Sequence, residues 1–207
     1  FGLTASVNNM KNFTVGTISG APGTGLVVGG YFDYSTEAIV AHSATNAYYT
    51  IGSTANGYRG DLTVVSGKNT LGTSGYGNVM LHLSNYPGEV CGKYEVQAGV
   101  GLSLQTQKEL KVTTFTLHAD SAVRFVVNGK SVPSVRVSET FAMPEDEGKV
   151  LLFFSKAPTR ATGDDAAKPL VIPLLTVPDA QVLDLSRFYT NLGGDFYLDV
   201  STNDVAH

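Results

Sequence analysis

The chain has 207 residues, a single cysteine and a formal net charge of -4. Hydrophobic residues reach 43% and glycines number 23, while charged residues make up only 15%, against ~25% in an average globular chain. No basic block or basic-aromatic stripe occurs, which argues against a nucleic-acid partner, and no run reaches the ~18 apolar residues of a spanning helix, which argues against membrane insertion.

The length suits one domain over residues 1–207, with a core that needs no disulfide or metal staple. The chain opens at Phe1 and closes at Val205-Ala206-His207 without a clear cap or signal-peptide pattern. It is expected to be a domain excised from a longer protein.

In chain order, strands are expected at Phe13 to Ile18, Leu26 to Tyr34, Ala38 to His42 and Tyr48 to Ile51. Runs of Gly, Ser, Asn and Tyr around Ser53 to Asp61 and over Ser66 to Asn78 read as long loops at one end of a β structure. Val79, Leu81 and Leu83 alternate with Met80, His82 and Ser84. From Tyr94 to Leu104 every second residue is apolar, and a period of two over that length predicts one half-buried antiparallel strand. Gly99 and Gly101 within it suggest a bend or a close backbone approach.

Lys111 to His118 is rich in Thr, Val and Phe. Val123, Phe125 and Val127 lead into Asn128-Gly129, and a second run follows through Val132, Val135 and Val137, which predicts a hairpin. Pro133 marks an edge or a bend in the return strand. Val150 to Phe154 is apolar on both faces and reads as a strand covered on both sides. Leu170 to Leu175 is similar but broken by Pro173. Thr159 to Lys168 is an exposed polar loop. Asp184 to Asn191 can form one short helix, with Asp179 or Asp184 as its cap. Phe196, Leu198 and Val200 make a last alternating strand.

No internal repeat stands out. The expected fold is therefore all-β: a single-domain antiparallel β-sandwich or flattened barrel of more than ten strands, with long Gly/Ser/Tyr loops and at most one short helix.

Catalytic signatures are weak. Gly-x-Ser-x-Gly is absent, and Gly72-Thr73-Ser74-Gly75 lacks the required second glycine. His82 and His118 fall in strands, and no histidine pair has ligand spacing, so they read as ordinary strand residues. Glu145-Asp146-Glu147 lacks the alternation of a calcium loop, and Gly163-Asp164-Asp165 lies in a polar loop. Cys91 has no partner cysteine and nothing around it lowers a thiol pKa, so a small buried residue is expected. The chain is read as non-enzymatic, with no cofactor and no metal.

Recognition chemistry is richer. Tyr48, Tyr49, Tyr58, Tyr76 and Tyr86 sit in Gly/Ser/Asn stretches, the composition of binding loops. Arg59-Gly60-Asp61, within NGYRGDLTVV, is the tripeptide that integrins read. Its use needs a protruding loop from which the two charges splay apart. Asn56-Gly57 before it and Leu62 to Val65 after it place it in an exposed turn. Tyr58, Arg59, Gly60, Asp61 and Tyr76 are the candidate receptor-binding residues.

The stretches GYGNVMLHLSNYPGEVCGKYEVQAGVGLSL (75 to 104) and GKVLLFFSKAPTRATGD (148 to 164) give the chain a texture that resembles the protruding spike domains of small non-enveloped RNA virus capsids. Size and texture look most like the spike of an astrovirus capsid protein, avian members included. The resemblance implies a dimeric all-β spike on the virion surface that binds a host-cell receptor, protein or glycan, and carries epitopes for antibodies. It also accounts for the lone cysteine, because such capsids assemble in the cytoplasm. A β-sandwich adhesin or carbohydrate-binding module is the alternative, and an unrecognised hydrolase a more distant one.

Overall fold

The computed structural model of the chain describes residues 12–28, 31–33, 38–40, 49–65, 79–143, 147–161, 163–164, 167–179 and 181–200. Its strands are β1 (Asn12–Gly20), β2 (Gly25–Val28), β3 (Tyr31–Asp33), β4 (Ala38–Val40), β5 (Tyr49–Tyr58), β6 (Asp61–Val64), β7 (Val79–Asn85) and β8 (Cys91–Val96). They continue with β9 (Gly101–Leu104), β10 (Glu109–Leu117), β11 (Ala122–Phe125), β12 (Ser134–Ala142), β13 (Val150–Phe154), β14 (Leu175–Thr176) and β15 (Phe188–Thr190).

A seven-stranded sheet runs β1-β5-β7-β9-β11-β13-β15 and a six-stranded sheet runs β14-β12-β10-β8-β6-β2. Every pairing in both is parallel. Among the described strands the small β3–β4 pair is antiparallel. From β5 onward the chain alternates strictly between the two sheets, so each coil lays one strand on each sheet and then climbs. This is a parallel β-solenoid with two faces, and neighbouring coils are ~4.8 Å apart.

The antiparallel sandwich is thus corrected. A period of two shows that one face of a strand is buried and the other is not. It carries no information about the direction of the neighbouring strand. Parallel sheets covered by helices are apolar on both faces, but a solenoid sheet faces the core on one side only, so it alternates as an antiparallel sheet does.

The core lies between the sheets. Leu81, Leu102, Val123 and Leu152 form one inward ladder of the seven-stranded sheet, and Leu83, Leu104, Phe125 and Phe154 form the next. Facing them, Leu26, Leu62, Tyr94, Phe115 and Phe141 stack on the six-stranded sheet. Rings continue the stacking along the axis, with Phe125 and Phe154 centroids 5.4 Å apart. Phe141 on β12 meets Phe188 on β15 across the core at 6.4 Å. Each aliphatic side chain sealed in such a ladder contributes about 1.5–3 kcal/mol relative to exposure.

Two short corners return the chain from the six- to the seven-stranded sheet. In the first, Gln97 donates its N–H to the Val64 carbonyl at 3.0 Å, and in the second His118 donates to Val96 at 3.1 Å. Gly99 (φ +75°) and Asp120 (φ +60°) take the left-handed conformation at matching places. The Gly99 N–H donates to the Asp120 carbonyl at 3.2 Å, so the corners stack as the strands do.

These corners explain other departures from expectation. Tyr94 to Leu104 is not one strand: it breaks at Gly99 into β8 and β9, which belong to different sheets. Asn128-Gly129 does turn the chain, with Asn128 and Ser131 exchanging backbone hydrogen bonds at 2.9 Å. Gly129 (φ +60°) is the first central residue of that turn. The runs on either side enter different sheets, so the turn is a coil corner and not a hairpin. Ser53 to Tyr58, expected as loop, is strand. Ser66 to Asn78 lies outside the described residues. Of Leu170 to Leu175 only Leu175 is strand, and Phe196 to Val200 forms none. The short helix is a single 3-10 turn, Leu185–Arg187, capped by the Asp184 carboxylate, which accepts the Ser186 N–H at 3.0 Å.

Candidate functional site on the outer face of the longer sheet

Arg59-Gly60-Asp61 forms the corner between β5 and β6, held between two neighbouring corners. On one side the Arg59 N–H donates to the Gly20 carbonyl at 2.8 Å and the Asp61 N–H to Thr24 at 2.7 Å. On the other, the Gly92 N–H donates to the Arg59 carbonyl at 3.0 Å, and the Lys93 N–H to Asp61 Oδ1 at 2.7 Å. Gly60 is buried, and a Cβ there would lie 2.3 Å from the Thr24 carbonyl oxygen. The Arg59 side chain is exposed, but the triplet is a stacked corner and does not protrude. The Asp61 carboxylate already serves the next coil.

Tyr58 is not a surface contact. It is 4% exposed, its hydroxyl donates to the Asp61 main-chain carbonyl, and burial pushes its phenol above the ordinary value. Tyr86 is likewise internal, donating to the Thr106 carbonyl at 3.1 Å and the Lys108 carbonyl at 2.9 Å. Tyr76 lies outside the described residues. Cys91 is buried and its thiol donates to the Tyr58 carbonyl at 3.6 Å.

A different set of side chains is brought together on the outer face of the seven-stranded sheet. Parallel register places His82, Ser103, Arg124 and Phe153 side by side on β7, β9, β11 and β13. Beside them Met80, Gly101, Ala122, Leu151 and Tyr189 form a second row. These positions alternate with the inward ladder residues, so they point away from the core. The middle strands carry only Gly101, Ser103 and Ala122 next to Arg124, with taller side chains to either side. The Arg124 guanidinium lies against Ser103, which is fully buried, and the Met80 side chain lies over Gly101.

Contacts within the row are specific. Arg124 donates through Nη1 to Ser103 Oγ at 3.3 Å, and its guanidinium carbon lies 6.0 Å from the centre of the Phe153 ring. The Gln105 amide hydrogen-bonds His82 Nδ1. Burial, and then the Arg124 charge, pull the His82 pKa down to about 4, so the ring is neutral at pH 7. With Nδ1 accepting from the Gln105 amide, the proton sits on Nε2.

Val150 to Phe154 was expected to be covered on both sides. Its inward residues join the core, whereas Leu151 and Phe153 are half-buried on the outer face. The face does not assemble an acyl-transfer site. Ser103 Oγ is buried under Arg124, and an imidazole held neutral down to about pH 4 is a weak base. Among the described residues no group of three His, Cys, Asp or Glu side chains converges on a metal position.

No protein-family model matches the chain, and neither the curated proteins nor the solved structures contain a match. The parallel strands overturn the antiparallel sandwich read from the alternation; the resemblance to a capsid spike implied an all-β domain and no strand direction.

Proposed function

We propose that this domain is a non-enzymatic attachment module: a β-solenoid displayed on a virion or cell surface that presents the outer face of its longer sheet to a host-cell receptor. One observation carries this reading. Arg124 is half-buried amid neutral side chains, and among the described residues it meets Ser103 Oγ and the Phe153 ring. Among the described residues no carboxylate pairs with it. Fully buried charges are ordinarily paired; a partly buried guanidinium with these partners keeps donors that suit a ligand. Rings, amide and imidazole beside it are the mixture that recognition surfaces use. Antibodies against an exposed lateral face and pairing with a second copy belong to the same reading.

The test is saturable binding of the purified domain to cultured cells. Arg124→Gln and Phe153→Leu are expected to weaken it while Lys111→Gln, on the opposite sheet, leaves it unchanged. Equal binding by all three variants, or no saturable binding across a panel of cell types, overturns the proposal.

A further inference from the structure

The geometry points to an anionic saccharide as the ligand of this face, with its carboxylate or sulfate on the Arg124 guanidinium and a sugar ring across Phe153. The inference rests on the attachment reading and deepens it by naming the ligand class.

Charge comes first. In the row His82, Ser103, Arg124 and Phe153, Arg124 carries the only formal charge at neutral pH, so the local field favours an anion. A guanidinium has five N–H donors in a planar fork. Ser103 and the Phe153 ring occupy part of it, and the fork geometry matches a carboxylate or sulfate edge. The hydrogen bond to Ser103 and the ring at 6.0 Å hold the group in one place before a ligand arrives, which lowers the ordering cost of binding.

The neighbours then select a sugar over a bare ion. Phe153 and Leu151 supply apolar ground for the C–H face of a pyranose, and Tyr189, 48% exposed beside Leu151, extends it. On the other side of Arg124 lie the His82 ring and the Gln105 amide, which suit hydroxyl groups. His82 and Phe153 are three strand steps apart, roughly 14 Å. That exceeds one sugar ring, so the face fits a short oligosaccharide with an acidic unit at its centre.

The experiment measures binding of the whole chain to three probes: sialyllactose for a carboxylate, a heparin-derived hexasaccharide for sulfate, and lactose as the neutral control. At least one acidic probe is expected to bind about tenfold or more tightly than lactose. Arg124→Gln should remove that preference, Arg124→Lys should restore part of it, and raised salt should weaken it. Because Arg124→Lys keeps the charge and the stem, its partial recovery separates ligand contact from a folding defect. Equal affinity for lactose, or acidic binding untouched by Arg124→Gln, overturns the inference while leaving attachment intact. Saturable cell binding with no affinity for any of the three probes overturns it too, and absence of cell binding overturns the attachment reading itself.

Discussion

The side-chain amide of Gln181 pairs with both backbone groups of Phe141: it accepts the Phe141 N–H at 2.7 Å and donates to the Phe141 carbonyl at 2.8 Å. Asn191 does the same for Phe154, at 2.7 and 2.8 Å. Both contacts occur where the next strand has stopped. β14 pairs with β12 only at Val135 and Arg136, and β15 pairs with β13 only as far as Leu152. An amide reproduces one rung of the missing ladder and satisfies groups that would otherwise be stranded.

Removing either amide is therefore expected to destabilise the fold. Gln181→Ala and Asn191→Ala should each cost about 1–3 kcal/mol, since each leaves a part-buried donor and acceptor without partners. Gln181→Glu should fall between, because it keeps the acceptor and loses the donor. Urea unfolding of the variants measures this, and wild-type midpoints would show the amides to be dispensable.

Gly60→Ala should be costly. Its Cβ would meet Thr24 O at 2.3 Å and Thr24 Oγ1 at 2.4 Å, backbone and side chain of the preceding corner. A loss of roughly 1–3 kcal/mol is expected from overpacking. Gly193→Ala meets nothing within 4 Å and should leave the melting temperature near that of the wild type.

Asp61 separates structure from attachment. Asp61→Asn keeps an oxygen for the Lys93 N–H and should stay within about 0.5 kcal/mol of wild type. Asp61→Ala removes that oxygen and should cost about 1 kcal/mol. Cell binding is expected to survive Asp61→Asn, because the carboxylate is engaged with the next coil. Its loss at unchanged stability would place the receptor contact at Arg59-Gly60-Asp61 instead of Arg124.

His82 makes stability depend on pH. Its pKa falls from 6.5 unfolded to about 4 folded, so between those values the unfolded chain binds the extra proton. Stability should be level above about pH 6.5 and decline as pH drops towards 4. Solvent reaches part of the ring, which moderates the size of the effect. His82→Gln should flatten that slope, and denaturant midpoints at about pH 7 and about pH 5 would show it.

Most strands could be read from the chain because a local signal survives in each. Val79 to Ser84 needed nothing beyond a buried and an unburied side, Lys111 to His118 shows its β-branched and aromatic composition, and Val150 to Phe154 is an apolar run bounded by polar residues. The winding was hidden because it depends on which strands become neighbours. Leu81, Leu102 and Val123 are evenly spaced, but longer connections on either side interrupt the interval, so no repeat is obvious. Tyr58 misled because tyrosine among Gly, Ser and Asn has the composition of a binding loop, while its hydroxyl here serves a buried corner. The row from His82 to Phe153 could not be found without register, since its four residues come from four separated strands. Gln181 and Asn191 carry no local signature at all: their role exists only where a neighbouring strand ends.

The two short corners have one further consequence. Gly99 and Asp120 turn the chain alike, and the step from Leu81 to Leu102 equals the step from Leu102 to Val123. The coil between those corners meets the coils above and below through equivalent backbone contacts. A gene that copied this one segment would lengthen the rod by a single rung, and one that lost it would shorten the rod likewise, with the cut ends rejoining on partners of the kind they left. The length of the domain can therefore change by unit steps without a new core having to be invented.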